Sequence, residues 1–329
     1  MKPQQQVSPA MTTINAPVDF SQTQGDLGLD FVFGAQGIAI ELQDKLDVLN
    51  LGVVPLVGDL AGTGTDTLRV THMGSVGFSR RMSSLASETD TITASSITTG
   101  YTEVSIGMHG LAHEETYQQQ ILSREPGVSL EAIIAQAPAS WLATFRYLLC
   151  VEGATFSTIV GSATTTLSVD DWIDLITACN ETLGFMGNPS AMLAPQQLTQ
   201  LIASLRTEPA FQNLASDFAN LQRVSGMQVK PNFAGLGIDV ALTDDVVQSG
   251  GAYQGFGMSP GGIGWARAST ASIKPHIPGV GLYVPEYGMF IERIAKGENG
   301  KARYEARAWL GVNSGSSDLF VQRLIRSVI

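Results

Sequence analysis

His109 and His113 stand four residues apart, followed by Glu114 and Glu115. On a helix that spacing puts two imidazoles on one face, where a divalent metal could be held. His109, however, belongs to a run with a period of two and precedes Gly110. No third ligand stands at a suitable distance, so these read as surface or interface histidines at a strand-to-loop junction. Gly62-Thr63-Gly64 suggests a phosphate-cradling loop but lacks the Gly-Lys-Ser/Thr ending, and a strand-like run follows it. The glycines between Ser249 and Gly264 lack the dinucleotide fingerprint with its downstream acid. They read as turns letting the backbone approach closely at a crowded place, such as a symmetry axis.

The remaining candidates are equally bland. No Gly-x-Ser-x-Gly elbow appears, and no Cys sits in an electropositive setting. Asp170-Asp171 could form a carboxylate pair, but a helix N-terminus accounts for it; Asp244-Asp245 reads as a polar loop after a strand. Cys150 and Cys179 lie in apolar, helix-like sequence and are expected to be reduced core residues. Asn180-Glu181-Thr182 matches the glycosylation triplet, yet falls inside an expected helix of a chain without a secretory signal. No catalytic residue, cofactor-binding residue or metal ligand is assigned. The chain is not expected to be an enzyme.

The informative segment runs from residue 60 to 113. Thr67 to Thr71 alternates with the period of a half-buried strand, and so does Tyr101 to Met108. In the second run Thr102, Val104, Ile106 and Met108 share one face, and Glu103 and Ser105 the other. Between the runs lies a tip crowded with serine and threonine, from Ser83 to Thr99. Two strands joined in this way make a long hairpin, which alone is at best marginally stable and exposes unpaired strand edges. Something beyond it is expected to complete it, and a second copy of the chain is the natural candidate. Arg80, Arg81, Met82, Leu85, Ile92 and Ile97 are the expected contact residues. Alternation sends the two arginines to opposite faces, so one can reach a neighbour's acids.

At 329 residues the chain can bury a large core, as one domain or two interleaved ones. Hydrophobic residues make up 44% and charged residues only 15%, a charge density low enough to suggest that partners cover much of the surface. The net charge of −11 argues against a dedicated nucleic-acid binder, which needs a clustered basic face, but not against a container for nucleic acid. No apolar run approaches the roughly 18 residues of a membrane span, and the polar N-terminus lacks a signal-peptide core. A reducing, cytoplasm-like compartment is expected.

Around this hairpin the other elements fall into order. Residues 1 to about 25 read as an extended arm broken by Pro3, Pro9 and Pro17, and Ile38 to Leu51 is ambiguous between helix and strand. His113 to Thr116 is expected to lead into a turn at Pro126-Gly127. A helix is expected from Ser129 to Glu152, burying Leu130, Ile133, Ile134, Ala137, Trp141, Phe145 and Leu148, and bent or split at Pro138. Ser168 should cap a second helix with Asp171 three residues on; Pro195 should begin a third and Pro209 a fourth. Ile238 to Leu242 reads as a strand, and Ser249 to Gly264 as loop. Met289 to Lys296 and Ala302 to Leu310 form a final hairpin around Asn299-Gly300.

This order, arm, hairpin, long helix, α/β insertion, terminal hairpin, resembles the major capsid proteins of tailed bacteriophages over nearly the whole chain. Leu68 to Met108 looks like their extended loop and Leu130 to Glu152 like their spine helix. Gly235 to Asp245, ahead of Gly262 to Ala268, is similar to the late strands of their axial domain, and Arg303 to Val312 to their last peripheral strand. The resemblance implies an α+β, Hong Kong-type capsid fold. Its parts would be an arm (1–50), an extended loop (51–113), a peripheral domain with the spine helix (114–165), an axial domain (166–284) and returning peripheral strands (285–329). It implies identical subunits in hexamers and pentamers, an icosahedral shell around double-stranded DNA, and scaffolding, portal and decoration proteins as possible partners. No cofactor is implied, and the place would be the virion, after assembly in the host cytoplasm. About fifty residues precede the loop, so a cleaved scaffolding segment is not expected; a separate scaffold or a processed N-terminus stays open. Some members weld subunits through a lysine on this loop, but no lysine lies between Lys45 and Lys230. An encapsulin-like nanocompartment subunit and a small-molecule-binding or hydrolytic α/β protein remain as alternatives.

Overall fold

The computed structural model describes residues 54–60, 63–73, 99–116, 128–183, 190–207, 228–229, 239–268, 281–284, 287–296, 301–315 and 320–329. The expected arm, the ambiguous stretch from Ile38 to Leu51, the fourth helix at Pro209 and the hairpin tip lie outside these residues. Fifteen strands and three helices are described. The strands are β1 (Leu56–Asp59), β2 (Thr67–Met73), β3 (Thr99–Ser105), β4 (Gly107–Thr116), β5 (Ile159–Gly161), β6 (Ser190–Leu193), β7 (Gln228–Val229) and β8 (Asp239–Leu242). They continue with β9 (Val247–Ser249), β10 (Ala252–Met258), β11 (Ile263–Arg267), β12 (Gly281–Val284), β13 (Met289–Lys296), β14 (Lys301–Ser314) and β15 (Gln322–Val328). The helices are α1 (Val128–Gly153), α2 (Val169–Leu183) and α3 (Pro195–Thr207).

One sheet runs β1-β11-β14-β13-β12, with β4 also paired to β14. The expected terminal hairpin is here: β13 and β14 pair from Met289↔Ala308 to Lys296↔Lys301. His113 to Thr116, expected as a connection towards a turn, belong instead to the ladder, because β4 stays paired with β14 as far as Thr116↔Lys301. Cross-strand partners hold a polar end in the ladder that local polarity reads as loop.

The second sheet runs β5-β15-β10-β6-β8-β7, with β9 beside β10. Its central strand is β10, drawn from the segment expected to be loop. Every residue from Ala252 to Met258 is buried, because the sheet is covered on both faces. Such a strand has no polar alternation to betray it. Its glycines answer to packing: a Cβ on Gly255 would stand 2.6 Å from Gln197 Oε1, and one on Gly257 would stand 2.9 Å from Leu175. The expectation of turns holds at Gly250-Gly251, where positive φ angles of 61° and 76° close the β9–β10 hairpin.

Three layers result around this sheet. On one face Met192, Ala241, Phe256 and Leu324 join the cluster built on α1. On the other, Leu193, Val240 and Ile325 meet Leu167, Trp172, Leu175 and Leu201 around α2 and α3. Gln197, fully buried, ties these layers: Ala194 N–H donates to its Oε1 (3.1 Å), and its Nε2 donates to Ile325 O (3.1 Å). The cap expected at Ser168 forms, with Ser168 N–H and Oγ–H both donating to Asp171 Oδ2 (2.9 and 2.6 Å). β15, which no pattern announced, pairs with β10 from Ala252↔Val328 to Met258↔Gln322.

α1 sits between the two sheets as one element of 26 residues, unbroken at Pro138. The proline is itself buried, so its packing offsets the lost hydrogen bond. Its core stripe includes Ala137, Trp141, Leu142, Phe145, Leu149 and Cys150, while Leu148 is only partly buried; the side chains expected inward at Leu130, Ile133 and Ile134 lie outside the described ones. The expected positions Ala137, Trp141 and Phe145 are thus buried, and the stripe is wider than expected, adding Leu142, Leu149 and Cys150 where the helix meets sheets on two sides. Trp141 stacks on Phe145 (5.2 Å between ring centroids) and meets Trp265 and Tyr287 edge-on at 5.9 and 5.5 Å. Its indole N–H donates to Tyr287 O at 3.1 Å.

Candidate assembly surface

The hairpin read from the sequence is present at its base. β2 and β3 pair antiparallel from Thr67↔Ser105 to Met73↔Thr99, a two-stranded sheet of its own. Arg69 lays its guanidinium over the exposed Tyr101 ring, 3.7 Å from the centroid, a contact worth about 0.5–1 kcal/mol at an exposed site. The strand does not run on to Met108 as expected. It breaks at Ile106, whose N–H donates to Asp66 O at 2.9 Å. Val104 is fully buried and Met108 is 64% exposed, so the two do not share a face. The tip residues Arg80, Arg81, Met82, Leu85, Ile92 and Ile97 lie outside the described residues.

The base rests on the same chain rather than waiting for another. Leu68 lies over Gly58 of β1, and the peptide of Ser105 lies against Gly311 of β14. Asn313 Nδ2 donates to Glu103 O in a short hydrogen bond. The expectation that something outside must complete the hairpin is thus corrected at its base, where the first sheet supplies the surface that buries Val104.

Beyond Ile106, β4 and α1 bound a cleft of about 350 Å³, lined by Met108, His109, Leu111, Ala137, Trp141 and Thr144 among others. The exposed stripe of α1, Gln136, Ala139, Ala143, Tyr147 and Val151, carries no charge. The helix's charged residues near it are turned away: Arg146 is buried, and Glu152 Oε1 accepts from Ser314 N–H at 2.8 Å. On the opposite face of the first sheet, charges are paired along β14 and across to its neighbours. Arg303 meets Glu114 at 3.5 Å and Glu305 at 2.5 Å, and Arg307 bridges Glu305 to the buried Glu292 (3.8 Å). Arg146 was not singled out by any pattern. Burial lowers its pKa, Asp245 and then Cys150 opposing that shift.

The chemistry-bearing residues do not converge. His109 and His113 lie on β4, opposite Ala308 and Tyr304. Four residues of strand separate them by roughly 13 Å, too far to share an ion. Among the described residues no group of three or more His, Cys, Asp and Glu side chains could hold a metal. Gly64 belongs to a turn ahead of β2, not to a strand-to-helix loop. Asp245 is held by Thr243 Oγ1–H at 3.0 Å. Cys150 is a free, buried thiol as expected, while the Cys179 side chain lies outside the described ones. Burial pushes the Cys150 thiol up to about 12, with Asp245 adding to the shift, so it is no nucleophile at neutral pH. Among the described helices none is long and apolar enough to cross a membrane.

Sequence reasoning missed Gly311 and Asn313. A glycine inside the otherwise alternating run Arg303 to Val312 was the available sign, since glycine within a strand marks a close backbone approach.

No protein-family model and no curated protein matches the sequence. Solved structures do. The capsid of the native GTA particle aligns over 85% of this chain and 90% of its own, at 11% identity and a TM-score of 0.52. The capsid of Ralstonia phage GP4 aligns over 84% and 86% of the two chains, at 10% identity and a TM-score of 0.50. The mature capsid of bacteriophage PhiM1 aligns over 83% and 86%, again at 10% and 0.50. With so little shared sequence the likeness is one of architecture: the chain has a mixed α/β fold, that of phage capsid subunits.

Proposed function

We propose that this chain is a major capsid protein, a non-enzymatic subunit that assembles with copies of itself into an icosahedral head shell around double-stranded DNA. The observation that carries the reading is the fold match, which spans more than four-fifths of both chains for each capsid compared. An uncharged α1 stripe and a hairpin held outside the two large sheets are consistent with it. In this reading the partners are identical subunits in hexamers and pentamers, with scaffolding, portal and decoration proteins as further candidates. α1 is the spine helix of a peripheral domain formed with the first sheet, and the second sheet belongs to an axial domain. The two are interleaved: β11 joins the first sheet directly after β10 of the second, and β15 returns to the second sheet after β14 of the first. Residues 74 to 98, with Arg80, Arg81, Met82, Leu85, Ile92 and Ile97, reach a neighbouring subunit. Assembly takes place in the host cytoplasm and the product is the virion. Electron microscopy of the purified chain, alone and with candidate scaffold, tests this. Closed shells of uniform size support it; a chain that stays monomeric or dimeric under every such condition defeats it.

A further inference from the structure

We propose that Gly311 and Asn313 are positioning residues that fix, within one subunit, the direction in which the hairpin leaves the sheet. The outward face of β14 carries Arg303, Glu305, Arg307 and Trp309 in alternation, and the next position on that face is Gly311. The end of β3 crosses the sheet at this gap. An ideal Cβ on Gly311 would overlap the carbonyl oxygen of Ser105, so any side chain there lifts β3 off the sheet. The glycine is required by that contact and not by its backbone angles, since it is absent from the positive-φ positions. Two residues on, Asn313 donates its side-chain amide to Glu103 O. Between these two contacts Val104 is fully buried.

The arrangement matters because the covalent connection is weak at this point. β3 and β4 belong to different sheets and meet only at Ile106. A two-stranded ribbon tied to the sheets only where the chain enters at Asp66 and leaves at Ile106, two residues held together by one backbone hydrogen bond, could swing about that point. The glycine notch, the amide and Leu68 over Gly58 give three separate anchors on β14 and β1, which fix an angle where one anchor would leave a hinge. The hairpin is thereby aimed before it meets another copy, a consequence that rests on the capsid reading; the clamp itself does not.

Hydrogen exchange on unassembled subunits tests the clamp. Asn313→Asp keeps the size of the side chain but removes the N–H donor. It should raise exchange of the Tyr101–Ser105 amides about tenfold, leaving Ala252–Met258 and the melting temperature of the subunit unchanged. Gly311→Ala should raise exchange there further, and both variants should lower the yield of closed shells. Unchanged exchange at Tyr101–Ser105 in Asn313→Asp overturns the proposal, whatever Gly311→Ala does to folding. Failure of the unmodified chain to form shells would defeat the capsid reading without touching the exchange result.

Discussion

The second sheet and the hairpin base follow opposite rules although both are strands. β10 is buried on every residue and its glycines admit helices from one side. In β3, by contrast, Val104 is the one described side chain that is fully buried, while Tyr101, Glu103 and Ser105 are exposed. The first region derives its order from burial within the subunit. The second has its register from pairing and its direction from a few contacts with β14 and β1, leaving its surface for something else. Stability and assembly can therefore be altered separately, and the variants below are chosen to do so.

The largest effect should come from the core. Trp141→Ala removes three ring contacts and the indole hydrogen bond to the Tyr287 carbonyl. Denaturant unfolding of subunits should show a loss of about 3–5 kcal/mol, with shells lost because the subunit is lost. Deleting Met82 to Thr99 should do the reverse, sparing subunit secondary structure and unfolding midpoint while abolishing closed shells. Particles of normal size from that deletion would place the contacts elsewhere.

Smaller effects separate the regions further. Changing Arg80 and Arg81 together to Ala should lower the melting temperature of assembled shells and leave free subunits unaffected; equal melting of both shells counts against an inter-subunit role. Cys150 should be silent to thiol reagents at pH 8 in the folded subunit and react on unfolding. Its folded pKa is raised from 9.0 to about 12, so its neutral burial stabilises the fold fully below pH 9, and that contribution is lost as pH rises toward 12. The smallest effect is none at all. With no lysine between Lys45 and Lys230, boiled shells should run as one band near 34.9 kDa, and a ladder of multimers would contradict the expectation of noncovalent shells.

What the sequence disclosed followed the same division. The paired strands at Thr67 and Tyr101, the helix start at Ser168 and the pairing of Met289–Lys296 with the strand that follows it are local patterns, and each could be read from its own residues. β10 could not, because burial on both faces erases alternation and glycine imitates loop. β4 was cut short, because the partners of Glu114 and Thr116 lie on β14, far along the chain. The α1 stripe was read too narrow, at Ala137, Trp141 and Phe145 without Leu142, Leu149 and Cys150, because two sheets share the helix. Gly311 was visible only as an interruption whose cause, the Ser105 peptide, lies far back in the chain.

Hydrogen exchange compared between free subunits and closed shells tests most directly whether assembly is carried by the hairpin rather than by the core. Ala252–Met258 should be equally protected in both states, and Tyr101–Ser105 already protected in free subunits. Peptides spanning residues 74 to 98 should gain protection only in shells. Full protection of those peptides in the free subunit, or no gain on closure, would contradict the account.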